Sequence, residues 1–374
     1  MAAAGDDRTA GDDRTAGSRL WVLLRRPPAR QTNLTLLLAL LLAFATGIGA
    51  VATGSAGGRW VVVAHGVVAI MVVLLVPWKS LVIRRGLRRA RPDRWASVLL
   101  AALTVITLVA GIGHTTGLLR SVGGVLGMWL HIATALGLLP LVAWHITARR
   151  VRPRAADLSR RALLRTGGLA AAAGAGYLAT TSAVAAAGLP GAGRRFTGSY
   201  EAGSFRPAGM PTTIWLDDTV PALDGNTWRL DVVPVSGKGR GDAPYHSRHA
   251  RRLTLDELAA EPSTRLRAVL DCTSGWYAEQ DWTGVLVADL LRDTGEARSL
   301  YVHSATGYAV RFPLSDAGRL LLAHEVGGAP LSPGHGFPLR LVAPGRRGFW
   351  WVKWVDRIEL RRAPWWWQPP FPVT

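Results

Sequence analysis

Leu266-Arg267-Ala268-Val269-Leu270-Asp271-Cys272-Thr273-Ser274-Gly275-Trp276-Tyr277, closed by Asp281-Trp282-Thr283-Gly284, is the stretch around which the carboxyl-terminal half of the chain is organised. It holds the only cysteine among 374 residues. The apolar run 266–270 reads as a strand leading in, and the run 285–291 as a helix leading out. Between them a Ser- and Gly-containing turn displays the thiol. Cysteine in such a place serves as nucleophile, disulfide partner or metal ligand, and a lone cysteine excludes an intramolecular disulfide. Against these uses stands the plain one, a small buried hydrophobe.

Working outward, residues from 194 onward are rich in Trp and Pro, mixed in charge and free of long apolar runs, as expected of one domain with its own core. Alternating or apolar runs at 228–234, 266–270, 299–302, 308–312, 339–343 and 350–360 read as strands. Thr254-Leu255-Asp256-Glu257 is a capping box that opens a short helix. A helix is expected over 285–292 and another from Ser315. Short strands mixed with short helices give an α+β domain. Gly and Pro cluster over 326–338, which is expected to be a loop near the site.

Two motifs carry a resemblance. Leu270-Asp271-Cys272 through Trp276, with Trp282-Thr283-Gly284, resembles the metal-binding turn of the sulfite oxidase superfamily of molybdopterin enzymes. His335-Gly336-Phe337-Pro338-Leu339-Arg340-Leu341-Val342-Ala343-Pro344-Gly345, followed by Val352-Lys353-Trp354-Val355, resembles that family's pterin-binding segment. The resemblance runs from Phe196 to Arg362. It implies that Cys272 ligates molybdenum, and a thiolate is a soft ligand that is deprotonated when metal-bound. It also implies Mo-molybdopterin as cofactor, with Arg340, Lys353 and His335 as pterin contacts and Tyr200 as a further one at the domain start. Arg340 offers a planar fork suited to phosphate. Lys353 is one of only three lysines, with Lys79 and Lys238. The sulfite-oxidising branch has arginines beside the metal cysteine. Here Thr273-Ser274-Gly275-Trp276-Tyr277 follows instead, so the resemblance leans to the bacterial periplasmic sulfoxide reductase branch. Arg311, on another strand, keeps sulfite open.

The amino-terminal half needs its own reading. The formal charge is +19, but 22 Lys+Arg face 6 Asp+Glu in residues 1–165 and 22 face 19 in residues 166–374, hence +16 and +3. The excess lies in short arginine clusters between apolar runs, the positive-inside pattern of a membrane protein, and no basic patch for nucleic acid remains. Residues 1–30, with the repeat Gly-Asp-Asp-Arg-Thr-Ala at 5–10 and 11–16, are expected to be a disordered cytoplasmic tail. Runs at 34–52, 60–83, 95–112 and 125–146 approach the ~20 residues that cross a bilayer. The arginine-rich links put the chain start and the exit of the fourth run in the cytoplasm. Ser159-Arg160-Arg161-Ala162-Leu163-Leu164-Arg165, followed by the mild apolar run 167–187, resembles a twin-arginine translocation signal. An ordinary arginine-flanked fifth helix is the other reading, and either places the rest of the chain outside the membrane.

Membrane-embedded histidines are uncommon and usually functional. His65 and His131 fall at matched depth, ~8–10 Å below the outer surface at 1.5 Å per residue. This suits bis-imidazole ligation of a haem b, as in four-helix b-type cytochromes, or else helix-to-helix hydrogen bonding. His145 lies fourteen residues past His131, but Lys79 occupies the equivalent place past His65, which departs from a two-haem pattern. His114 stands at an outer helix end and could replace either partner, and His246 and His249 read as surface residues.

The architecture expected is therefore a disordered tail (1–30), an all-α transmembrane bundle of four helices (31–150), a basic linker with a fifth helix (151–193), and an exported α+β molybdopterin domain (194–374). The function expected is two-electron oxygen-atom transfer at a bacterial inner membrane, reducing an S-oxide on a small or protein-borne substrate. A haem would link the metal to the quinone pool. Sulfite oxidation and a cofactor-less binding module on a membrane anchor are the alternatives.

Overall fold

The computed structural model describes residues 29–87, 94–148, 154–214, 218–235 and 250–369. Most of the expected disordered tail, the arginine clusters at 88–91 and 149–152, and both His246 and His249 lie outside the described residues. The chain forms two compact units, residues 1–47 with 61–192 and residues 48–60 with 193–374.

The first unit is helical: α1 (Ala29–Ala52), α2 (Arg59–Leu87), α3 (Arg94–Thr116), α4 (Gly127–Ala148) and α5 (Arg160–Ala186). All five are long and apolar enough to cross a membrane. Leu41, Val105, Ile106 and Val109 among others are exposed on them, an outward apolar surface of the kind lipid solvates. Threonines 104, 107 and 134 return their hydroxyls to carbonyls four residues earlier, which hides a polar group within its own helix, and Thr107 Oγ1 also lies 2.9 Å from Thr134 Oγ1 across α3 and α4. One expectation fails locally. Val125 and Leu126 are not helical but pair with Ser121 and Val122 in a hairpin, β1 (Ser121–Val122) and β2 (Val125–Leu126). Gly123 and Gly124 have φ of 54° and 83°, the left-handed pair that a two-residue turn demands. Lys79 donates to Asn33 Oδ1 at 2.8 Å, so the residue standing where a second haem ligand was sought pairs with α1 instead.

The second unit is built from two sheets. In the first, β6 (Thr264–Asp271) and β7 (Trp276–Leu286) pair antiparallel from Asp271↔Tyr277 to Thr264↔Gly284. β7 also pairs antiparallel with β10 (Leu321–Val326) and parallel with β3 (Tyr200–Glu201). β10 in turn pairs with β11 (Ala329–Pro330) and β12 (Arg340–Val342). The second sheet has the order β5 (Arg251–Leu253), β4 (Leu230–Val233), β13 (Val355–Arg361), β8 (Ser299–Ser304), β9 (Ala309–Pro313). Along β7, Trp276, Ala278, Gln280 and Trp282 are buried and their neighbours are not, the period of two expected of a strand with one face on a core. Trp282 is fully buried and meets Trp351 edge to face at 5.6 Å; truncating such a ring costs ~3–5 kcal/mol.

Three sequence expectations are corrected here. The helix expected over 285–292 shrinks to one turn, α7 (Val287–Leu290), because β7 continues to Leu286. Val285 and Leu286 are held as strand by Leu322 and Leu321 of β10, and an apolar run buried by such pairing looks the same as a helix in sequence. The helix from Ser315 is a 3-10 turn over Leu314–Arg319. The strand expected from Trp350 starts only at Val355, since Gly348–Trp350 is another 3-10 turn. The capping box at Thr254 is present, with Glu257 accepting from Thr254 N at 2.8 Å, and opens α6 (Leu255–Ala259).

Candidate functional site

The turn joining β6 to β7 presents the cysteine. Cys272 N donates to Trp276 O at 2.8 Å and Gly275 N to Cys272 O at 3.2 Å, and Gly275 reaches φ 95° to close the turn. The thiol is not displayed to solvent as expected: Cys272 is buried. It lines a cleft, partly open to solvent, that also takes in Thr213, Asp218, Trp276, Tyr308, His335, Arg340, Trp351 and Lys353. Gly348 closes against the cysteine, where a Cβ would stand 3.0 Å from Cys272 Cα, so a side chain there would displace the turn.

Arg340 is the buried cation of the cavity. It sits between Trp282 and Trp351, 5.6 and 5.8 Å from the ring centres. Nη1 donates to His335 O at 3.1 Å, while Nε has no partner. Burial pulls its pKa down to about 10. Lys353 donates to Thr213 O at 2.9 Å and Gly334 O at 2.5 Å. Burial first, then the Arg340 charge, lowers it to about 7. Among the described residues neither forms an ion pair. Asp218 lines the same cavity and acts on Lys353 only from beyond ion-pair distance, so two buried cations share one distant carboxylate, which is costly, and an anionic group entering the cavity would reduce that cost. The site therefore fits a ligand that brings a phosphate, with a thiol positioned beside it.

Of the five residues named for the cofactor, the structure brings Cys272, His335, Arg340 and Lys353 to this cavity. His335 lines it but offers no free nitrogen. Nδ1 lies 2.8 Å from Ser332 Oγ and Nε2 3.2 Å from Met210 O, so Nε2 carries the proton. Burial, with the Arg340 and Lys353 charges, lowers its pKa to about 4, leaving a neutral ring. Its part is to fix the 332–336 turn whose carbonyls receive Arg340 and Lys353. Tyr200 does not line the cavity. It is buried in β3, and its N–H donates to Gly275 O at 2.9 Å, which fixes the cysteine turn from outside. Arg311 points elsewhere, donating Nη1 to Trp367 O at 2.7 Å.

The sequence reading missed the support behind the turn. Asp271 accepts from Arg347 Nη1 at 2.6 Å, Ser199 Oγ at 2.6 Å, Thr197 Oγ1 at 2.8 Å and Arg195 Nε at 3.1 Å. Arg347 Nη2 also holds Cys272 O at 3.1 Å. Both members of the pair are only 2% exposed. A carboxylate abutting the one cysteine was the available signal, but its partners are 72 to 76 residues away. Ser274 was missed too: its hydroxyl lies 3.1 Å from Cys272 Sγ. Thr213 lies 3.4 Å beyond it and accepts from Trp276 Nε1 at 2.9 Å.

In the helical unit the His65 and His131 rings stand 6.0 Å apart, nearly perpendicular. His65 Nδ1 faces Ala43 O at 3.1 Å and His131 Nδ1 faces Thr107 O at 2.8 Å. A nitrogen facing a carbonyl is the protonated one, so both Nε2 atoms carry lone pairs, the form a metal-binding histidine takes. At ~2 Å per metal–nitrogen bond, two imidazoles flanking one ion need about this separation. Gly47 and Gly111 lie against the two rings, where a Cβ would come within 3.2 and 2.9 Å.

Comparison with known proteins places the carboxyl-terminal domain. The model for the oxidoreductase molybdopterin binding domain matches residues 218–366. The chain is 29% identical over 175 residues to mitochondrial sulfite oxidase of Rattus norvegicus, covering 38% of this chain and 30% of that one. It is 30% identical over 141 residues to the uncharacterized oxidoreductase YuiH of Bacillus subtilis, covering 33% of this chain and 71% of that one. NADH nitrate reductase 1 of Oryza sativa is 27% identical over 182 residues, 38% of this chain and 19% of that one. The chain thus spans under a third of the sulfite oxidases it matches, and the helical unit lies outside the matched family model.

Proposed function

The chain belongs to the family of oxidoreductase molybdopterin-binding domains, and from that premise we propose a membrane-anchored oxidoreductase that reduces an S-oxide outside the cytoplasmic membrane. When bound, the molybdenum pterin supplies two-electron oxygen-atom transfer. Cys272 Sγ would ligate the metal, and Arg340 with Lys353 would hold the pterin phosphate, reducing the cost of two buried cations. Ser274 Oγ, 3.1 Å from the sulfur, stabilises a thiolate by donating to it. Trp276, Phe349, Trp351 and Trp354 wall the cavity and keep water from the sulfur. Burial raises the Tyr308 pKa, and its hydroxyl donates to Phe349 O, so it stays protonated and braces the wall. The observation that carries the reading is the meeting of the single thiol with two buried cations that form no ion pair among the described residues, in one cavity.

An S-oxide suits the cavity better than sulfite does. Its Arg and Lys residues are Arg340 and Lys353, both committed to the pterin in this reading, and Asp218 adds a carboxylate. Arg311 is held on the Trp367 carbonyl. Among the described residues a dianion would meet an acid and no uncommitted cation there, whereas a neutral S-oxide would lie against aromatic rings.

In the helical unit, His65 and His131 would hold one haem b through Nε2 and pass electrons from the quinone pool. The arginine distribution and the twin-arginine-like start of α5 favour a domain exported folded, with its cofactor inside. The test is metal analysis of the full-length protein with a visible spectrum. About one molybdenum per chain and a dithionite-reducible b-type band are expected, with the band lost in His131→Ala. Viologen-coupled reduction of methionine sulfoxide is expected, and abolished in Cys272→Ser. Sulfite-dependent reduction of the band would reverse the direction, and Cys272→Ser retaining full function would leave a binding module.

A further inference from the structure

The carboxyl-terminal run Arg362-Ala363-Pro364-Trp365-Trp366-Trp367-Gln368 takes no part in the cavity. Its turn is held rigidly. Trp367 N donates to Pro364 O at 3.0 Å and Ser299 Oγ to Ala363 O at 2.6 Å. Gln368 exchanges two 2.8 Å bonds with the backbone of Arg311, as a further strand would. This clamp holds Trp366 and Trp367 outward, 64% and 69% exposed, with their rings 6.2 Å apart. Two adjacent indoles fixed in solvent are costly, and such rings are at home at the level of lipid headgroups.

The surroundings point to the same place. The second unit includes residues 48–60, which end α1, connect it to α2 and open α2, two helices both long enough to cross a membrane. Within that unit Thr53 bridges to Arg346. Gly54 packs so closely that a Cβ there would lie 2.8 Å from the Arg346 carbonyl carbon. Arg346 in turn lies over the Trp365 ring at 5.8 Å. Arg346 thus touches both the 48–60 segment and Trp365, which opens the tryptophan turn, and Trp60 of the same segment is 73% exposed. Basic groups accompany it: Arg346 and Arg319 share the one carboxylate of Asp316, which leaves one positive charge in excess toward phosphate headgroups.

We propose that Trp366 and Trp367 form an interfacial anchor that seats the molybdopterin-binding domain on the phospholipid headgroup layer, fixing one face of the domain against the bilayer. The inference rests on the reading of α1 and α2 as membrane-spanning.

The test uses the full chain in nanodiscs of phosphatidylcholine and phosphatidylglycerol containing lipids spin-labelled at carbon 5 or carbon 12. The emission difference between wild type and Trp366→Phe/Trp367→Phe isolates the two rings. Both are exposed, so the fold should survive; each single variant serves as a second measurement. Quenching about twofold stronger from carbon 5 than from carbon 12 is expected of interfacial rings, with acrylamide quenching weak. Strong acrylamide quenching with none from lipid overturns the anchor, as does shielding that needs an added soluble protein. Release of the chain from vesicles by carbonate overturns the membrane reading and the anchor with it. Retention without lipid quenching overturns the anchor alone.

Discussion

Two buried charged clusters lie on either side of Cys272, and they differ in whether their charge is closed. Behind the turn, Asp271 is met by Arg347, Arg195 and two hydroxyls, and Arg347 also takes the Cys272 carbonyl. In the cavity in front, Arg340 and Lys353 find carbonyls and aromatic faces but, among the described residues, no carboxylate within ion-pair distance, Asp218 acting on Lys353 only from farther off. The first cluster is complete and acts as scaffold. The second lacks a paired anion and has room to receive one. Burial alone does not separate the two, since Arg340 and Arg347 are 3% and 2% exposed. The missing ion pair does.

Paired substitutions test the contrast most strongly. Asp271→Asn strands the Arg347 charge and should cost ~3–5 kcal/mol, read as a large drop in melting temperature of the cofactor-free chain. Arg340→Met should leave that temperature unchanged or raise it, while molybdenum retention falls at least ~tenfold. If Arg340→Met destabilises the cofactor-free chain as much as Asp271→Asn does, the distinction between the clusters fails.

A smaller effect is expected from pH. Lys353 titrates at about 7 in the fold against 10.5 for an ordinary lysine. Between those values the unfolded chain binds more protons, so stability of the cofactor-free protein should rise with pH across the window. Lys353→Met should flatten that rise relative to wild type in melts from pH 6 to 10. A bound phosphate would favour the charged amine and oppose the rise, so the cofactor-loaded protein should show less of it.

The smallest effect belongs to Ser274→Ala, at ~1 kcal/mol or less on stability for one hydrogen bond. Its signature is spectroscopic: the Mo(V) paramagnetic signal should shift, because hydrogen bonds to a ligating sulfur alter the electronics of its metal. An unchanged signal would confine Ser274 to shaping the turn.

How much was legible follows from the range over which each feature is encoded. Five apolar helices, the β6 strand, the capping box and the cysteine turn are written in runs of a few to some twenty residues, where periodicity, breakers and charge act locally. His65 and His131 stood out as ring nitrogens within long apolar runs, where polar residues are few. Cys272, Arg340 and Lys353 stood out through two motifs whose residue types suit one ligand. Other features were settled by partners far along the chain. The helix expected over 285–292 yielded to pairing with β10. Tyr200 proved to brace the turn rather than face the cavity, and His335 spends both nitrogens on Ser332 and Met210.

The sequence by itself thus determined the division into an apolar helical part and a mixed domain, and the residue types available for chemistry. Only the tertiary structure decided which buried charges are closed and which are open. That property depends on counter-charges brought together across more than seventy residues of chain, a distance over which side-chain pairing leaves no local pattern to read.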